Sequence, residues 1–253
     1  MVTYVLVHGS GAGGWIWKKL TPLLRAAGHE VYTPTLTGCG EHVHLANADI
    51  GLDTHVLDVV NVLTFEELSD VILVGHSYGG NVITGVADRI PERLAQLVYL
   101  DANLPEDGQS LVDLMPADAR KHFWERARAR GEEWERQGRS PAGLPVAESP
   151  PMETHLTPWV ERGWLSSDDA HWMLRHFVPH PDPTYLDPVR FRNPAAKELP
   201  RTYILCTLTQ GPFETFALRA QTESGWRYRE LVSGHDAQVM VPRELAQTLI
   251  DLA

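Results

Sequence analysis

Short apolar segments recur along the chain, and stretches with helical periodicity separate most of them. Segments that are apolar throughout, rather than on alternate residues, are typical of parallel strands covered on both faces. The order of strands and helices therefore predicts an α/β fold with a mostly parallel, doubly wound sheet. The predicted strands are 4–7, 30–33, 71–74, 96–100, 202–206 and 227–231. The predicted helices include 17–27, 52–63, 80–89 and 243–252.

The alternation is interrupted between residues 105 and 200, where we find amphipathic helical stretches and no convincing strand. A long helical region between two core strands predicts an inserted cap, with residues 1–104 and 201–253 forming the core. Trp159, Trp164 and Trp172 lie in this region. These tryptophans either line an apolar substrate pocket above the sheet or hold the cap together, and the sequence leaves both interpretations open.

The strongest local motif is Gly-His-Ser-Tyr-Gly at residues 75–79, directly after an apolar strand and before a helix. In this G-x-S-x-G context a tight turn exposes the serine hydroxyl at the end of the strand, so Ser77 is the predicted nucleophile. The first amides of the following helix can stabilise an oxyanion, beginning with that of Tyr78. The competing interpretation is a glycine-rich turn without chemistry.

A serine hydroxyl needs a base to take its proton. Among twelve histidines, His235 is the best placed, because it follows the last predicted strand and precedes the terminal helix. We expect His8, at the end of the first strand, to shape the adjacent glycine-rich loop. That loop lacks the ending of a phosphate-binding loop, and a loop in this position can supply the second oxyanion amide, which we place on Ser10.

Composition excludes several function classes. The 253 residues contain 33 Asp and Glu against 22 Lys and Arg, a formal net charge of −11, so we expect no nucleic acid partner. No apolar run approaches the ~20 residues that a transmembrane helix needs, so no membrane partner is expected. The strand-like start leaves no room for a signal peptide, which predicts a cytoplasmic protein. Two cysteines and no cluster of ligand spacing predict no metal site.

These motifs together resemble those of the α/β-hydrolase superfamily over essentially the whole chain. Segments 8–15, 23–29 and 75–80 look like small esterases related to plant methyl esterases and hydroxynitrile lyases. Segments 36–41 and 100–108 look like their bacterial relatives, which include pyrethroid-type carboxylesterases. The resemblance implies an ester hydrolase with a helical cap and no cofactor. It also implies Ser77 as nucleophile, His235 as base, and Ser10 and Tyr78 as backbone oxyanion donors.

The sequence departs from the family pattern at the acid that orients the histidine. Family members usually carry an aspartate where Thr209 stands here. We predict Asp101 instead, because it ends the strand after the nucleophile strand and should open at the same edge of the sheet. Glu214 is the rival acid, and a dyad without an acid is the remaining alternative.

The leading functional prediction is hydrolysis of a carboxylic ester with a fairly apolar acyl or alcohol part. The nearest rival is a hydroxynitrile or C–C lyase, although Gly9 and Asp236 replace the threonine and lysine on which lyase relatives rely. A non-catalytic, receptor-like ligand-binding protein is the third alternative. The expected partner is a small-molecule ester, with a homodimer as the candidate assembly.

Overall fold

The computed structural model describes residues 1–136, 152–208 and 211–253. Six strands form one sheet in the order β2-β1-β3-β4-β5-β6, and every neighbouring pair is parallel. This confirms the predicted fold class. The strands are β1 (Thr3–Val7), β2 (Glu30–Tyr32), β3 (Val71–His76), β4 (Leu94–Leu100), β5 (Arg201–Cys206) and β6 (Trp226–Leu231).

Helices connect and cover these strands. They are α1 (Thr21–Ala26), α2 (Leu52–Phe65), α3 (Gly79–Arg89), α4 (Leu111–Leu114), α5 (Ala117–Arg136), α6 (Met152–Glu161), α7 (Ser167–His176), α8 (Pro183–Leu186), α9 (Pro194–Lys197), α10 (Phe213–Thr222), α11 (Ala237–Met240) and α12 (Pro242–Ile250). Within the described ranges, no helix has both the length and the apolar character that crossing a bilayer requires.

One predicted helix differs from the observed structure. Residues 17–27 do not form a continuous helix, because a 3-10 turn at Gly14–Trp17 ends before α1 begins at Thr21. Pro22 lies in the first turn of α1. A proline has no N–H to donate to an upstream carbonyl, so it fits the start of a helix and disfavours its interior.

The central strands β1 and β3 are buried on both faces, which explains why they are almost entirely apolar, whereas the edge strand β6 exposes Arg227, Arg229 and Glu230. Along β1, Val5 and Val7 belong to one hydrophobic cluster, whereas Tyr4 and Leu6 belong to the other. Helices α2 and α3 contribute to the first cluster, and α12 contributes to the second. Each face of the sheet therefore has its own core.

The connectivity determines where a site can form. From β1 the chain first runs outward to β2 and then returns to β3 on the other side of β1. Ligand sites of open α/β sheets lie outside the carboxyl ends of the strands near such a reversal. The carboxyl ends of β1, β3 and β4 are followed by His8, Ser77 and Asp101, and the loop after β6 carries His235.

Between β4 and β5 the described residues contain helices α4 to α9. This part of the chain corresponds to the predicted cap, 105–200. Its treatment as a separate domain remains a prediction.

Candidate active site

Ser77 occupies a strained turn between β3 and α3. Its φ is +55°, in the left-handed region that residues other than glycine rarely adopt. The turn is so tight that a Cβ added to Gly75 would lie 2.6 Å from the carbonyl oxygen of Gly79. A Cβ added to Gly79 would lie 2.7 Å from the carbonyl oxygen of Val7, so close backbone approach requires both glycines of the motif. Backbone strain such as that at Ser77 is typical of functional sites.

Backbone hydrogen bonds hold this turn against β4 and the segment that follows it. The Ser77 amide donates to the carbonyl oxygen of Leu100 at 3.3 Å, and the Asn103 amide donates to the carbonyl oxygen of Ser77 at 3.0 Å. The position of the serine is thus set by the central strands of the sheet.

His235 and Asp101 form a close pair at the same edge. The His235 Nδ1 lies 2.6 Å from Oδ2 of Asp101, whose side chain is only 1% exposed. The other carboxylate oxygen, Oδ1, accepts from the Cys206 amide at 3.1 Å. With Nδ1–H donating to the carboxylate, the lone pair of the neutral imidazole lies on Nε2, the nitrogen that a general base uses.

A second histidine ties the His235 loop to the serine turn. His76, which directly precedes Ser77, donates from Nε2 to the carbonyl oxygen of His235 at 2.9 Å. The two imidazole rings lie 4.5 Å apart. Phe213 also stacks on His235, with the ring centroids 4.8 Å apart and the ring planes at 11° to each other. The sequence did not predict His76 and Phe213 as neighbours of His235, because nothing in the local pattern distinguishes them from other residues.

Burial controls the protonation of these groups. Loss of hydration lowers the pKa of His235 and lowers that of His76 to about 3, so both imidazoles are neutral near neutral pH. Burial raises the pKa of Asp101, and the hydrogen bond from the Cys206 amide opposes that rise. A neutral imidazole is the form that a general base requires.

The loop after β1 lies against the nucleophile. A Cβ added to Gly9 would come within 2.9 Å of the Ser77 Cβ. His8 shapes this loop, because its Nδ1 donates to the Gly9 carbonyl oxygen at 2.8 Å and its Nε2 accepts from the Leu36 amide at 3.1 Å. Within the described residues, the amides of Ser10 and Tyr78 donate to no protein acceptor, so both remain available for an oxyanion.

The alternative acid is placed differently. Glu214 is exposed in the first turn of α10, and in the described part of the chain it forms no ion pair with His235. Its neighbour Phe213 makes the ring contact instead. Thr209, which occupies the usual position of the acid, lies outside the described residues.

The three predicted pocket tryptophans have different surroundings. Trp159 is 4% exposed in the second core cluster, and its ring lies 3.5 Å from where a Cβ on Gly234 would stand. Trp172 is partly buried and packs edge-on against Trp15 at 5.1 Å. Trp164 is partly buried beneath the guanidinium of Arg162. Trp159 thus borders the His235 loop, and Trp172 contacts the helical turn after the Ser10 loop.

No group of three or more His, Cys, Asp or Glu side chains within residues 1–136, 152–208 and 211–253 has an arrangement that could hold a metal ion.

Comparison with known proteins identifies the family. A model described as "Alpha/beta hydrolase family" matches residues 4–248. The carbendazim hydrolyzing esterase of Nocardioides sp. (strain SG-4G) is 39% identical over 258 residues, covering 100% of both chains. The α-hydroxynitrile lyase of Arabidopsis thaliana is 39% identical over 104 residues, covering 41% of this chain and 40% of that one.

A solved structure of similar shape is an extracellular alpha/beta-hydrolase from a Paenibacillus species, described as sharing structural and functional homology with Tobacco Salicylic Acid Binding Protein 2. It superimposes with a TM-score of 0.79 and 26% sequence identity, covering 99% of this chain and 98% of that one.

Proposed function

The chain belongs to the α/β-hydrolase family and is a carboxylic ester hydrolase, and we propose that it works through an acyl-enzyme formed on Ser77. The observation that carries this proposal is the placement of a strained serine at the same sheet edge as a neutral histidine whose Nδ1 is held by a buried carboxylate. These are the three groups that activate a hydroxyl nucleophile in otherwise unrelated hydrolases.

In the acylation step, the Ser77 oxygen attacks the ester carbonyl carbon while the Nε2 of His235 takes the hydroxyl proton. The amides of Ser10 and Tyr78 donate hydrogen bonds to the oxyanion that forms. The imidazolium then protonates the leaving alkoxide, and the ester C–O bond breaks. Throughout, the Asp101 carboxylate holds the tautomer and stabilises the positive charge on His235.

In the deacylation step, His235 removes a proton from water, whose oxygen attacks the acyl carbon attached to Ser77. Collapse of the second tetrahedral intermediate returns the proton to Ser77 and releases the carboxylic acid. The histidine therefore acts first as base and then as acid in each half of the cycle.

We further propose that residues 105–200 form a cap over Ser77 and that the substrate is an ester with an apolar acyl or alcohol part. Support comes from the apolar rings around the site, since Phe213 stacks on His235 and Trp159 borders the loop that carries it. The net charge of −11 further favours a small-molecule partner over a polyanion.

The lyase alternative has less support at the site. The residue after the catalytic histidine is Asp236, which is buried and accepts from Gln238 at 3.1 Å. Burial raises the pKa of this carboxyl to about 7. An acidic side chain here does not supply the cation that a departing cyanide would need.

A panel of p-nitrophenyl esters from acetate to octanoate tests the proposal, with carbendazim and mandelonitrile added to the panel. We expect turnover of the esters by the wild type and none by Ser77→Ala. Cleavage of mandelonitrile with no ester turnover would favour the lyase. Inertness towards the whole panel, combined with tight binding of its members, would favour a receptor-like protein.

A further inference from the structure

The loop that carries the Ser10 amide is held from two sides. On the core side, His8 donates to the carbonyl oxygen of Gly9, which belongs to the same peptide unit as the Ser10 N–H. On the cap side, the Gly11 amide donates to Nδ1 of His180 at 3.2 Å, and the Gly11 carbonyl oxygen accepts from the Val178 amide at 2.9 Å. Both peptide planes that flank Gly11 are therefore fixed by the segment after α7.

The imidazole of His180 is well placed to act as a hydrogen-bond acceptor. Its residue is 1% exposed, and its ring stacks on Tyr185 at 4.9 Å with an angle of 17° and packs edge-on against Tyr78 at 4.7 Å. Burial among these rings holds the pKa of His180 well below its usual value, so the ring stays neutral. A neutral ring keeps the Nδ1 lone pair that the Gly11 amide needs.

The other ring nitrogen shows that packing alone does not explain this residue. Because Nδ1 accepts from Gly11, Nε2 carries the proton, and within the described residues this buried N–H has no acceptor. A phenylalanine could make the same ring contacts without leaving a buried donor unpaired, which is unfavourable. The thiol of Cys39 also lies 3.4 Å from Nδ1, so the contacts of this imidazole converge on its acceptor nitrogen.

We propose that His180 is a positioning residue for the oxyanion hole. By accepting a hydrogen bond from the Gly11 amide, His180 keeps the neighbouring Ser10 amide oriented for an oxyanion formed at Ser77. This inference rests on the proposed esterase mechanism. It links the cap to the chemical step, because the oxyanion donor is oriented by a residue of the segment that covers the site. His180 is not expected to contact the substrate.

A near-isosteric pair of variants separates the acceptor from the shape of the side chain. His180→Asn keeps an acceptor oxygen near the position of Nδ1, whereas His180→Leu has a similar size and no acceptor. Removal of an oxyanion donor costs about 10²–10³-fold in kcat. We expect misorientation of the donor in His180→Leu to lower kcat on p-nitrophenyl acetate by about 10–100-fold, with KM within about twofold of wild type. We expect His180→Asn to retain kcat within about fivefold of wild type.

Equal losses of kcat in the two variants, or a loss confined to KM and thermal stability, would overturn the positioning role. If His180→Leu does not fold, His180→Phe replaces it, because it keeps the stack on Tyr185 and lacks the acceptor. His29→Phe is the matched control for the loss of an imidazole. His29 directly precedes β2 and therefore lies at the amino ends of the parallel strands, away from Ser77, so kcat should not change.

The rate of covalent labelling by an organophosphonate distinguishes failure of this inference from failure of the esterase mechanism. A wild type that is not labelled on Ser77 would contradict the mechanism itself. A wild type that is labelled at the same rate as His180→Phe would contradict only the role of His180. We expect slower labelling of the variant, because the phosphoryl oxygen occupies the oxyanion hole.

Discussion

The catalytic edge of the sheet and the cap that we propose above it are held together in different ways. At the edge, Ser77, Asp101 and His235 follow strands; the side chains of Asp101 and His235 are hydrogen-bonded at 2.6 Å, and backbone hydrogen bonds hold the Ser77 turn against β4. On the cap side, ring contacts such as Trp172 against Trp15 accompany the two hydrogen bonds that join Val178 and His180 to Gly11. From this difference we expect the strand ends to supply the reacting groups, and the cap to select among esters and to position the Ser10 amide through His180.

The largest expected effect comes from removing the nucleophile or the base. Ser77→Ala and His235→Ala should each lower kcat by about 10⁵-fold or more, because each abolishes the proton transfer and the covalent step together. The double variant should be scarcely slower than either single one. Steady-state kinetics on p-nitrophenyl acetate measure all three, and independent, multiplicative losses would contradict a shared mechanism.

The next effect distinguishes the two candidate acids. Asp101→Asn should lower kcat by about 10⁴-fold, because the amide favours the wrong tautomer of His235. Glu214→Gln is the matched control, since Glu214 is exposed, and its kcat should match the wild type. Circular dichroism should show both variants folded. If Glu214→Gln loses activity while Asp101→Asn remains active, the acid that orients His235 is Glu214 in α10.

A smaller effect separates the two roles proposed for the cap tryptophans. Trp159 is almost fully buried, so Trp159→Ala should lower the free energy of unfolding by about 3–5 kcal/mol. Trp172 is partly buried, so Trp172→Ala should instead shift the ratio of kcat/KM for hexanoate over acetate by about tenfold. Thermal denaturation and the ester panel check both, and equal losses on every ester would indicate packing alone.

The smallest expected effect is the dependence of folding stability on pH. Burial lowers the pKa of His8 and His55 to about 4 and that of His76 to about 3, and it also lowers those of His180 and His235. Below pH 6.5 the unfolded chain therefore binds more protons at these residues than the folded one, and stability falls with acid.

Two carboxyl groups act in the opposite direction. Burial raises the pKa of Asp101 and Asp236, so the folded state binds their protons more tightly. Because five histidines outnumber two aspartates, the net effect should be a Tm that falls by several degrees between pH 7 and pH 5. Differential scanning calorimetry measures this change, and a flat or rising Tm would contradict the burial of neutral imidazoles.

The same contrast explains what the sequence could predict. The ends of parallel strands must open at one edge, so the strand pattern was sufficient to bring Ser77, Asp101 and His235 to a common edge. No comparable rule applies to the cap. The contacts of His180 in the cap, like those of Phe213 in the core, arise from tertiary packing between segments that are distant in sequence. Even near the sheet, Pro22 divides a stretch of helical periodicity that the pattern predicts to be continuous.

The most direct test of the central claim is the mass of the intact protein after exposure to an organophosphonate or a slowly hydrolysed ester. We predict one covalent adduct per chain, located on the peptide that contains Ser77. The adduct should be absent from Ser77→Ala and should form far more slowly in His235→Ala. Ester turnover without any adduct on Ser77, or an adduct that persists in Ser77→Ala, would contradict the account.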